Sequence, residues 1–99
     1  MAVGMLMMLP GATQEQYEQV NTKMFGQSPF KPEDAPQGLI LHSAGPTPEG
    51  WYVYDVWESK EDFQRFAEEK LGPAMQELGL GQPGGGPQFF EISSLVLVK

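Results

Sequence analysis

Tyr52-Val53-Tyr54-Asp55-Val56-Trp57-Glu58-Ser59-Lys60-Glu61-Asp62-Phe63 reads as a half-buried strand that runs straight into a capped helix. From Trp51 to Trp57 every residue but Asp55 is aromatic or β-branched, the composition that a packed, pleated surface favours. Ser59 stands at a helix N-cap position with Asp62 three residues on, a capping-box-like spacing. Side chains alternate along a strand, so Trp51, Val53, Asp55 and Trp57 share one face and Tyr52, Tyr54 and Val56 the other. A carboxylate between two tryptophans either faces water or has a buried partner.

Working outward, the segments on either side fall into four more elements and their connections. Met1 to Leu9 is apolar and reads as a first strand buried on both faces, stopped by Pro10-Gly11. Thr13 and Gln16 form a capping box, with Tyr17, Val20 and Met24 on one face of the following helix and Gly26 at its C-terminus. Gln27 to Gln37, with three prolines, is expected to be a loop crossing the surface. Gly38 to Ala44 is a short strand holding the single histidine, His42, and Gly45 to Gly50 should turn it into a hairpin with the strand from Trp51. The helix from Ser59 presents Phe63, Phe66, Ala67 and Leu71 on one stripe. Gly72-Pro73 should break or kink it, with another turn or two from Ala74 to Leu78. Gly79 to Pro87 is too rich in Gly and Pro to be regular, and a last strand is expected from Gln88 to Val98.

The order strand, helix, strand, strand, helix, strand makes an α+β, ferredoxin-like βαββαβ domain spanning residues 1–99, an antiparallel sheet with both helices on one face. The first and last strands carry apolar residues on both faces, and helices cover only one. A homodimer with the two sheets packed together is therefore expected.

Composition narrows the function. With no Cys, thiolate catalysis, disulfides and Cys-ligated zinc are excluded, which fits a cytoplasmic protein. The net charge is −7, and the six basic residues, Lys23, Lys31, Lys60, Arg65, Lys70 and Lys99, form no patch, so nucleic acid is not an expected partner. The apolar N-terminal run falls far short of the roughly 20 residues of a spanning helix and lacks a preceding Lys or Arg, so neither a membrane partner nor export is expected. One His among scattered carboxylates offers no metal-ligand spacing. Gly84-Gly85-Gly86 is not followed by a helix, so it is read as a connection rather than a phosphate loop.

The pair that carries chemistry is His42 with Asp55. Closing the hairpin around Gly45 to Gly50 puts Ala44 near Trp51 and His42 near Val53, one diagonal step from Asp55 on the same face. A carboxylate that orients an imidazole fixes its tautomer for acid–base work. The same two residues also read as a hydrogen-bonded core histidine and its structural partner. Trp51, Trp57, Phe63 and Phe66 are the candidate lining of an aromatic-binding pocket, and equally suit an ordinary core.

The element order, the segment Asp55-Val56-Trp57-Glu58-Ser59 with Phe63 and Phe66 following, and Gly72-Pro73-Ala74 after the helix resemble the dimeric α/β-barrel superfamily, and within it the antibiotic biosynthesis monooxygenase type. That resemblance covers nearly the whole chain. It implies a pocket between sheet and helices in each subunit, and a cofactor-independent monooxygenase acting on an apolar or aromatic, polyketide-like small molecule. In that scheme His42 moves a proton, Asp55 orients it, and Trp51, Trp57, Phe63 and Phe66 hold the ligand, with neither cofactor nor metal. Trp57 also matches a pocket tryptophan of the haem-degrading branch, but that branch's Asn on the first strand and His on the second helix have no counterpart here. The alternative expectation, from a different class, is a non-catalytic ligand-binding or structural dimer. Pocket volume discriminates the two.

Overall fold

The computed structural model describes residues 2–28, 30–79 and 86–98. Strand β1 (Val3–Pro10) leads into helix α1 (Gln14–Phe25), and a 3-10 turn (Pro32–Asp34) precedes the hairpin of β2 (Leu39–Thr47) and β3 (Gly50–Trp57). Helix α2 (Lys60–Phe66) continues through a π-helical turn (Ala67–Leu71) into α3 (Gly72–Glu77), and β4 (Gln88–Glu91) completes the sheet. The strand order is β2-β3-β1-β4 with every neighbour antiparallel, the ferredoxin-like α+β arrangement. The expected irregular connection between Gly79 and Pro87, with most of Gly84-Gly85-Gly86, lies outside the described residues.

Local chemistry sets the helix ends. Thr13 Oγ1 accepts from the Gln16 N–H and the Gln16 side chain accepts from the Thr13 N–H, a closed capping box. Gly26 ends α1 in the left-handed region, φ 81°, where a side chain would be strained. Ser59 Oγ accepts from the Asp62 N–H to start α2.

Gly72-Pro73 does not break the second helix. The Gly72 N–H bonds back to Ala67 O across the π turn, and the backbone stays right-handed helical through Gly72. The irregularity takes up the missing Pro73 donor, so the helix is distorted but continuous.

Two strand boundaries differ from expectation. Strand β2 runs on to Thr47, and Pro48-Glu49 alone makes the turn, closed by a Gly50 N–H bond to Thr47 Oγ1. Pro46 fits inside β2 because β2 is an edge strand, where a missing donor costs no ladder bond. Strand β4 ends at Glu91 rather than reaching Val98. Glu91 is already opposite Val3, the first residue of β1, so past Ile92 the chain has no neighbour to pair with. Val96, Leu97 and Val98 are exposed there.

Pairing puts Met5, Met7, Val53, Asp55 and Trp57 on the helix-covered face, where Met5, Met7, Trp51, Val53, Trp57 and Phe63 form the core. Leu6, Met8, Tyr52 and Tyr54 point the other way, so in a single chain β1 is covered on one face only. Gly50 sits where a Cβ would come within 2.4 Å of Leu9 O and 2.6 Å of Gly11 N, both backbone atoms that cannot swing aside. Gly50→Ala is expected to cost about 1–3 kcal/mol in urea melts by forcing β1 and β3 apart at the hairpin end. A neutral substitution would contradict this register.

Candidate active site: a histidine relay in an aromatic cavity

The hairpin register decides where the only histidine meets an acid. His42 lies directly opposite Asp55, and Ala44 opposite Val53, a shift of two residues from the expected pairing. A two-residue shift preserves the face, so the diagonal neighbours become direct ones. His42 Nδ1 is 2.6 Å from Asp55 Oδ1, and the Trp57 indole N–H donates to Asp55 Oδ2 over 3.2 Å. Asp55 is only 4% exposed, so both oxygens of a buried carboxylate are satisfied by this pair.

The chain of bonds extends further than the strands. Tyr17, on the sheet-facing side of α1, hydrogen-bonds through its phenol to His42 Nε2. With Nδ1 against a carboxylate, the neutral imidazole donates from Nδ1 to Asp55 and accepts at Nε2 from Tyr17. The sequence marks Tyr17 as part of a buried helical stripe, and nothing local in it announces a partner 25 residues away. Burial pushes the Tyr17 phenol above its ordinary 10.0; the nearby Asn21 amide pulls it down, and the Asp55 carboxylate pushes it up again.

These groups wall a cavity of about 320 Å³ between the sheet and the helices. That volume stands at the lower end of small-molecule sites. Its apolar wall includes Trp57, Phe63, Phe66, Phe25 and Phe30, with Met7, Met24 and Met75, and its polar members include Tyr17, Asn21, His42 and Asp55. Among the described residues no Lys or Arg lines it. Leu71, in the π turn, also faces the cavity, where the widened turn shapes the wall.

Of the residues picked from sequence, His42, Asp55, Trp57, Phe63 and Phe66 meet at this cavity. Trp51 does not line it. It packs behind Tyr17, with ring centroids 5.3 Å apart, and its buried indole nitrogen has no hydrogen-bond partner among the described residues. The loop expected to cross the surface instead contributes a wall. Phe30 packs at a tilt against Phe25 and His42, with ring centroids 4.6 Å and 5.1 Å away.

The structure is similar to the crystal structure of a monooxygenase from the gene ActVA-Orf6 of Streptomyces coelicolor, in complex with nanaomycin D. The TM-score is 0.54 at 16% sequence identity, covering 99% of this chain and 92% of that one. No protein-family model and no curated protein matches the sequence. Among the described residues no helix is long and apolar enough to cross a membrane. The chain has the ferredoxin-like α+β fold of that monooxygenase.

Proposed function

We propose that this protein is a small cytoplasmic enzyme of the cofactor-independent monooxygenase kind, acting on an apolar, aromatic or polyketide-like molecule. The observation that carries this reading is the Asp55–His42 hydrogen bond at the wall of an aromatic-lined cavity large enough for a bicyclic ligand. The pair draws the hydroxyl proton from a bound phenol, and Trp57, Phe63 and Phe66 hold its rings. The electron-rich anion then reduces dioxygen: one oxygen atom enters the product and the other leaves as water. For 1-naphthol the products are 1,4-naphthoquinone and water, which balances with dioxygen as the only co-reactant.

Oxygen uptake by the purified protein with 1-naphthol tests this. One dioxygen consumed per quinone formed, lost in His42→Gln, is expected. Binding without uptake would leave the non-catalytic ligand-binding dimer as the function.

The active form is a homodimer in this reading. Leu6, Met8, Tyr52 and Tyr54 present an apolar sheet face that the chain's own helices leave bare, and a second copy of that face is its simplest cover. Sedimentation at micromolar concentration should give twice the 11.0 kDa chain mass. A stable monomer there would rule out the assembly.

A further inference from the structure

We propose that Tyr17, and not His42, is the residue that meets the ligand's ionisable hydroxyl, with His42 and Asp55 acting through it and Asn21 as the second polar contact. This rests on the reading above that the cavity takes a phenol.

Every nitrogen of His42 is already engaged. Nδ1 faces Asp55 and Nε2 faces the Tyr17 phenol, so a ligand proton reaches the imidazole only by displacing Tyr17 or by passing through it. The Tyr17 oxygen gives its one proton to Nε2 and keeps lone pairs for a hydroxyl in the cavity. Passing through is the step with no rearrangement. The ligand O–H bond breaks and its proton bonds to the Tyr17 oxygen, while the proton that Tyr17 held moves to His42 Nε2. The outcome is a ligand anion, a neutral Tyr17 and an imidazolium beside the Asp55 carboxylate.

Two observations favour this route. The first is charge. Among the described residues no Lys or Arg lines the cavity, so the imidazolium made in this step is the one full positive charge that the new anion finds there. The raised phenol also favours a Tyr17 that ends the step protonated and donating to that anion.

The second is placement. Asn21 lies four residues after Tyr17, one helical turn along the same face of α1, and lines the same cavity. It is 3% exposed, and its amide nitrogen has one long bond, 3.4 Å, to Ser28 Oγ. The same amide reaches the Tyr17 phenol, so Asn21 stands beside the hydroxyl-binding oxygen with part of its hydrogen-bonding capacity left for a ligand. Tyr17 and Asn21 together suit a ligand with a hydroxyl and a second oxygen on the same edge, and an uncharged one, since among the described residues no Lys or Arg lines the cavity to meet a carboxylate or phosphate.

The probe 4-nitro-1-naphthol reports its own ionisation by colour. Bound to the intact protein, its ionisation midpoint should fall by at least about one pH unit, a tenfold change in the ionisation constant. Both Tyr17→Phe and His42→Gln should abolish that shift. The methyl ether of the probe, which has no proton to give, should bind Tyr17→Phe within about threefold of the intact protein, a control for folding and for the cavity. Asn21→Ala should weaken binding of 1,8-dihydroxynaphthalene, whose two oxygens share one edge, more than that of 1-naphthol. If Tyr17→Phe keeps the full shift while His42→Gln loses it, His42 meets the ligand directly; the relay is then wrong and the wider functional reading stands. If the intact protein binds neither probe, the wider reading falls and the relay with it.

Discussion

Trp57→Ala is expected to cost about 3–5 kcal/mol of folding stability, the range for emptying a large aromatic from a core. Trp57 is 0% exposed, meets Phe63 edge-on and Phe66 tilted, each at a centroid distance of 5.6 Å, and donates its indole N–H to Asp55. Truncation removes those ring contacts and leaves Asp55 Oδ2 without its donor. Trp57→Phe separates the two losses. It keeps a ring against Phe63 and Phe66 but orphans the buried carboxylate oxygen, for about 1–3 kcal/mol. Urea melts with unchanged slopes would measure both. Because Trp57 also lines the cavity, binding of a bicyclic phenol should weaken in the alanine variant. A loss under about 1 kcal/mol in Trp57→Ala would mean that the indole is not sealed between sheet and helix as described.

His42→Gln is expected to lower the turnover of a phenolic ligand by about 10²- to 10⁴-fold, the usual contribution of a positioned acid–base group. Glutamine keeps a polar side chain opposite Asp55 but has no second basic nitrogen for Tyr17 to reach. Asp55→Asn attacks the same step from the other end. An amide can donate to Nδ1 and so admits the tautomer that points a proton at Tyr17, which blocks uptake from it. The loss should therefore appear in kcat more than in KM, since neither substitution changes the aromatic walls. Equal activity in intact protein and His42→Gln would remove the histidine from the chemistry.

What could be read from the sequence was what short-range rules decide. Ser59, Thr13, Gln16 and Gly26 cap helices because their neighbours are three or four residues away. The shared face of His42 and Asp55 survived a two-residue error in register, because period two ignores an even shift. The error itself arose at Gly45 and Pro46, turn formers by composition that an edge strand accommodates. What stayed hidden depends on how distant elements sit. Tyr17 becomes part of the site only once α1 lies across β2, and Phe30 only once its loop folds back over Phe25. Strand β4 stops where β1 begins, a limit written in the partner strand and not in Ile92 to Val98.

The chain contains one histidine, so a single ¹⁵N-labelled side chain reports directly on the hydrogen bonds that join Asp55, His42 and Tyr17. For the neutral imidazole, long-range ¹H–¹⁵N spectra should show Nδ1 carrying the proton and Nε2 acting as acceptor, with the Nδ1–H state diminished in Asp55→Asn. A His42 found with its proton on Nε2, and indifferent to Asp55→Asn, would contradict the relay from Asp55 through His42 to Tyr17.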